Sequence, residues 1–154
     1  MSFRIRGLNP EPFRPLFALD DAALIERGMR SVTVTEPNSA PCRIALCDAE
    51  PETRVLLLHY AHQTAHTPYR SAGPIFVGQT AREAFDRVDV LPPIFVNRPL
   101  SVRAYDRHGM MINADVVQSD PRSLIEAFFS DCDVEYLHVH LARRGCFACR
   151  VDRV

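Results

Sequence analysis

Glu135-Tyr-Leu-His-Val-His-Leu-Ala-Arg-Arg-Gly-Cys-Phe-Ala-Cys-Arg-Val-Asp-Arg-Val154 is the stretch from which the fold is read. It reads as a β-hairpin with Arg143-Arg144-Gly145 at the turn. Side chains alternate faces along a strand. Tyr136, His138 and His140 therefore share one face, and Leu137, Val139 and Leu141 share the other. The second face is plain core. The first is a row of titratable rings and the best place to look for chemistry.

The elements before this hairpin are read outward from it. Asp120 is a good N-cap and Pro121 a good first helical residue, and Leu124, Ile125, Phe128 and Phe129 give that helix an apolar face. Leu100-Ser-Val-Arg-Ala-Tyr105 and Met110 to Val117 form a second hairpin, turned at Asp106-Arg-His-Gly109. Arg54-Val-Leu-Leu-Leu-His-Tyr60 holds an unbroken apolar run and reads as a central strand, joined by an acidic turn to a strand over Arg43 to Cys47. His62 to Gly73 is a loop, and Pro74 to Val77 a short strand. Thr80 caps a brief helix over Ala81 to Val88, with Glu83 placed for a capping box. Phe3 to Arg6 and Ser31 to Thr35 read as strands, and Asp20-Asp21 start a short helix stopped by Gly28. Seven or eight short strands with two or three helices predict an α+β fold. It is expected to be a mostly antiparallel sheet of short strands and hairpins with the helices packed on it, in one globular domain over residues 1–154.

Composition narrows the function classes. Of 154 residues, 47% are apolar and 24% charged, which suits a folded domain rather than a disordered chain. Eighteen basic residues nearly balance nineteen acidic ones, so no cationic excess points to nucleic acid or to an anionic membrane surface. No apolar run reaches the length of about 18 residues that a membrane-spanning helix needs. Met1-Ser-Phe-Arg-Ile-Arg6 lacks the apolar core of a signal peptide, and a cytoplasmic protein is expected. Five cysteines, an odd number, need not form a disulfide framework. Phosphate-binding glycine loops, a nucleophile elbow and a His-Glu-x-x-His pair are all absent.

Four constellations remain. His59, His62 and His66 border one loop while His138 and His140 share a strand face, a set that could ligate a metal or simply fill a satisfied core. Cys146 and Cys149 sit three apart on a strand, so their thiols face opposite ways and do not form a redox or zinc pair. Thr67-Pro-Tyr-Arg-Ser-Ala-Gly-Pro74 is a stiff loop able to present Tyr69, Arg70 and Ser71 to a carboxylate or phosphate. Its structural alternative pairs Arg70 with Asp106 or Asp115. Arg143 and Arg144, with Arg150, are either anion contacts or a soluble hairpin tip.

A long segment, Leu56-Leu-Leu-His-Tyr-Ala-His-Gln-Thr-Ala-His-Thr-Pro-Tyr-Arg-Ser-Ala-Gly-Pro-Ile-Phe-Val77, resembles the central signature of an uncharacterised bacterial family, domain of unknown function 1203. Leu100-Ser-Val-Arg-Ala-Tyr-Asp106, Met110-Met111, Ala114-Asp-Val-Val117, His138-Val-His140, Ala142-Arg-Arg-Gly-Cys146 and Arg150-Val-Asp-Arg153 extend the resemblance over nearly the whole chain. It implies a single-domain bacterial protein and no particular activity.

The expected function is a domain that binds a small anionic ligand, or an enzyme with His138 or His140 as general acid–base. His62, Tyr69, Arg70, Ser71 and Arg144 are the candidate ligand-binding residues. No metal ligand, cofactor, nucleic-acid partner or membrane contact is expected. The alternatives are a structural protein that self-associates, as in a homodimer, and a metalloenzyme built on the histidines.

Overall fold

Alternation along the C-terminal hairpin carries directly into the computed structural model, which describes residues 1–154. In chain order the strands are β1 Phe3–Arg6, β2 Arg30–Thr33, β3 Pro41–Cys42, β4 Cys47–Asp48, β5 Arg54–Gln63, β6 Ser71–Gly78, β7 Asp86–Val88, β8 Leu100–Tyr105, β9 Met111–Val117, β10 Tyr136–Leu141 and β11 Cys146–Arg153. The α-helices are α1 Asp21–Glu26 and α2 Arg122–Phe129. Asp20 caps α1 by accepting the Ala23 N–H at 2.8 Å. Asp120 accepts the Arg122 N–H at 2.8 Å at the start of α2.

The α+β class stands, but one sheet becomes two. A six-stranded antiparallel sheet runs β7-β1-β11-β10-β8-β9. A five-stranded sheet runs β2-β5-β6-β3-β4 and is mixed, because β3 lies parallel to β6. β3 and β6 are joined through β4 and β5 rather than by a tight turn, so nothing forces them antiparallel. α2 covers the apolar face of the larger sheet. Ile125, Phe128 and Phe129 pack there with Phe3, Ile5, Leu100, Val102, Leu137, Val139 and Val151. A smaller core holds Leu24, Leu56, Leu58, Ile75 and Val77 together. No helix is long and apolar enough to cross a membrane.

Three local expectations are corrected. The helix over Ala81 to Val88 does not form, since Asp86–Val88 is a strand paired with Arg4 to Arg6. Edge pairing supplies ladder bonds that a single capped turn of helix could not match. The strand over Arg43 to Cys47 is a turn between β3 and β4, made possible by Leu46 at φ 49°. The loop from His62 to Gly73 shortens to 64–70, because β5 and β6 extend toward each other.

Between the two sheets runs the Arg43-Ile44 backbone. The Leu8 N–H donates to the Arg43 carbonyl and the Phe85 N–H to the Ile44 carbonyl, each at 2.8 Å. Gly7 lies against this turn so closely that a Cβ there would sit 2.0 Å from the Ile44 carbonyl oxygen. Backbone cannot retreat as a side chain can, so Gly7→Ala should cost about 3 kcal/mol or more by overpacking. Urea denaturation followed by circular dichroism would measure it, and an unchanged midpoint would show that the contact is not tight.

Candidate functional site

The ring face of β10 is built as its alternation demands. Opposite it on β8 stand Tyr105, Arg103 and Ser101, each in direct register with Tyr136, His138 and His140. On β11 the matching positions are Asp152, Arg150 and Phe147. A bulge displaces Ala148, so Phe147 rather than Ala148 faces His140. From the other sheet comes His62, the unopposed residue of a second bulge between Ala61 and Gln63. A bulge re-aims a side chain, and here it turns His62 toward the larger sheet.

The three imidazoles gather around Phe147. His62 stacks on that ring with centroids 5.1 Å apart and 8° between planes, while His138 and His140 meet it edge-on. The His62 centroid is 5.0 Å from His140 and 6.0 Å from His138. His62 Nε2 lies 2.8 Å from the Ser71 hydroxyl, and His140 Nδ1 lies 3.0 Å from the Gly145 carbonyl. His62 Nδ1, His138 Nδ1 and His140 Nε2 are buried with no protein partner. No set of three His, Cys, Asp or Glu side chains has the geometry to hold a metal ion. Gln63 donates to the Tyr136 hydroxyl at 2.7 Å, and the Arg150 guanidinium sits 3.9 Å above the Tyr136 ring.

This face is sealed: His138 and His140 are 3% and 1% exposed. Burial holds both rings neutral. It pulls His138 down to about 3 and His140 to about 4, and it lowers His62 as well. The cations that reinforce this are Arg103, Arg150 and Arg43. Arg70 is not among them. Tyr69 and Arg70 lie exposed on the 64–70 loop, whose Thr67 hydroxyl donates to the Gly109 carbonyl. The Arg70 guanidinium pairs with neither Asp106 nor Asp115. Asp106 instead accepts backbone N–H groups from His108 and Met110. Thus His62, Ser71, His138 and His140 are brought together, and Tyr69 and Arg70 stand apart.

Arg144 belongs to a different place. With Arg143 it lines a cavity of about 430 Å³ at the tip of the β10–β11 hairpin, whose wall also holds Arg43, Arg98 and Cys146. Leu57, Ile75, Phe76 and Leu141 supply its apolar surface. Arg43 is 1% exposed. It donates from Nε to the Phe147 carbonyl at 2.7 Å, from Nη2 to the Cys146 Sγ at 3.0 Å, and to the Pro41 carbonyl. It has no carboxylate partner, and burial lowers its pKa. Arg98 is bound at both nitrogens to Asp48, at 2.8 Å each. Arg143 and Arg144 are exposed and unpaired.

Sequence reasoning missed Arg43 and Arg98. Arg43 sits beside Ile44 in what reads as an ordinary strand, and only the turn at Leu46 directs it inward. The opposite faces expected for Cys146 and Cys149 are corrected: the bulge at Ala148 shifts the parity, so they stand across from Leu141 and Val139 on one face, and both remain free thiols. Cys146 reaches the cavity, and Cys149 is sunk in the core, where burial pushes its thiol pKa up.

The family described as "Protein of unknown function (DUF1203)" matches residues 39–153. No curated protein and no solved structure matches the chain.

The buried rings make a pH prediction. With folded pKa values below the ordinary 6.5, they stay neutral in the fold while the unfolded chain takes up protons. Stability is then full above pH 6.5 and falls as pH drops toward about 4. Each ring should add a loss of up to about 1.4 kcal/mol per pH unit in that window. His138→Phe, which keeps a flat ring and removes one proton site, should flatten the slope of unfolding free energy against pH. An identical slope in wild type and variant would mean that His138 is not buried neutral.

Proposed function

The chain belongs to the DUF1203 family, whose description assigns it no reaction, and we propose from its own geometry that it binds a small organic anion in the arginine-lined cavity. One observation carries this reading: Arg43 is a fully buried cation on the cavity wall with no carboxylate to offset it. A buried charge held only by carbonyls and a thiol is costly, and an anion in the cavity would offset that cost. Arg143 and Arg144, unpaired at the mouth, supply the fork-shaped donors that grip a carboxylate or phosphate. Leu57, Ile75, Phe76 and Leu141 favour a ligand with an apolar body.

Residues 1–154 would act in this as one domain. β1 near the start pairs with β11 near the end, and Arg43 fastens one sheet to the other. Neither nucleic acid, nor a membrane, nor a second copy of the chain is needed for such binding.

A second reading concerns catalysis. In it His62, whose pKa burial lowers and whose Nε2 lies 2.8 Å from the Ser71 hydroxyl, would serve as general base, with His138 and His140 behind it. Tyr69 and Arg70 would then have to swing in from the exposed loop to hold a substrate.

Binding of 3-phenylpropanoate, an acid with an apolar arm, tests the first reading by calorimetry. Arg144→Ala should weaken it about tenfold, and Arg143→Ala combined with it should abolish the heat, since each charge-assisted contact contributes about 1.5 kcal/mol. Both side chains are exposed, so thermal unfolding should hardly move. Unchanged affinity in the double variant would overturn the assignment.

A further inference from the structure

A second cavity of about 390 Å³ adjoins the first and shares Asn38, Arg98 and Arg143 with it. The two differ in chemistry. The first is cationic and apolar. The second is lined by Asn38, Asn97, Asp48 and Arg98, with Val96 as its apolar contact. Apart from the shared Arg143, its charges cancel, because Asp48 and Arg98 hold each other through two hydrogen bonds, and Arg98 also donates to the Asn38 and Ile94 carbonyls. That network leaves Arg98 with little to offer a ligand. What remains are two carboxamides, those of Asn38 and Asn97, neither engaged by any protein group. Both residues stand at φ 57°, a left-handed conformation that asparagine accepts more readily than most residues. Strain held at the rim of a cavity is often tied to function.

Resting on the anion-binding reading above, we infer that the ligand is an organic acid of a specific shape. Its acidic group lies at the junction, on Arg143. An apolar arm enters the first cavity, over Phe76 and Leu141. A neutral hydrogen-bonding arm, such as an amide, enters the second and meets Asn38 and Asn97. The smallest common molecule with these three parts is an N-acylated amino acid with an apolar side chain. The same three parts also occur at the free carboxyl end of a peptide.

Calorimetry with three acids tests this on the intact chain. N-acetylphenylalanine carries both arms, 3-phenylpropanoate the apolar arm alone, and N-acetylglycine the amide arm alone. N-acetylphenylalanine should bind about tenfold tighter than either fragment, as expected when one polar and one apolar contact are added together. Asn97→Gly and Asn38→Gly remove the carboxamides while glycine keeps the positive φ without strain. In the double variant the advantage of N-acetylphenylalanine over 3-phenylpropanoate should vanish, and Asn97→Gly alone, which lines only the second cavity, should leave 3-phenylpropanoate binding unchanged. If 3-phenylpropanoate fails to bind the wild type, the anion site itself is wrong. If it binds but N-acetylphenylalanine gains nothing, or the gain survives in the double variant, the two-armed ligand is wrong. Acetyl-Ala-Ala-Phe separates the sources: equal affinity identifies a peptide end, and lost affinity identifies a free acylated amino acid.

Discussion

The buried guanidinium of Arg43 is the constraint on which the relation between the two sheets depends. It leaves the turn between β3 and β4 and reaches the Phe147 carbonyl on β11. In doing so it bonds a residue of the five-stranded sheet's margin to the centre of the six-stranded one. A neutral residue there would leave the Phe147 and Pro41 carbonyls and the Cys146 sulfur without a shared donor. A charge kept out of water in this way is tolerated only when its donors are used. The same placement gives the cavity its electrostatic character, since the cation that joins the sheets is also part of the cavity wall.

The imidazole face answers a different problem. A sheet buried on both sides has no room for polar groups unless they find partners. Here one nitrogen of each imidazole is left without a hydrogen-bond partner, and the rings pack instead as aromatics, with Phe147 between the three imidazoles and Tyr105 stacked on Tyr136 at 5.2 Å. Neutral histidine can pack as an aromatic, and burial ensures that it stays neutral. The Gly145 carbonyl bonded to His140 then ties this layer to the hairpin tip that carries Arg143 and Arg144.

Much of this was legible in the residues. Period-two alternation located β10 and β11, and the Asp120-Pro121 start located α2, because those signals act over neighbours in sequence. The grouping of His62 with His138 and His140 was legible as well, although the bulge that aims His62 was not. What local signals could not carry was sheet membership. Nothing near Asp86 states that it pairs with Arg4 to Arg6 some eighty positions away, and a capped helical turn reads equally well there. Arg43 was hidden for the same reason: its neighbours are apolar, and its partners lie about a hundred residues distant. The arginines of the hairpin tip were visible, but a tip gives no sign of the cavity beneath it until Arg98 and Phe76 arrive from elsewhere.

One of the two outer margins of the larger sheet is β9, a long strand with exposed Ile112 and Val116. Its shape limits what can attach there. Pairing with β8 slips between Asn113 and Met111, leaving Ile112 unopposed. Farther along, the Asn113 side chain accepts the Ala114 N–H at 2.9 Å, and the Asp115 side chain accepts the Val116 N–H at 2.7 Å. Those are the donors a foreign strand would need, and they are already spent on the protein's own carboxamide and carboxylate. The margin is thereby blunted as a template for a further strand, although it displays Ile112 and Val116 to water.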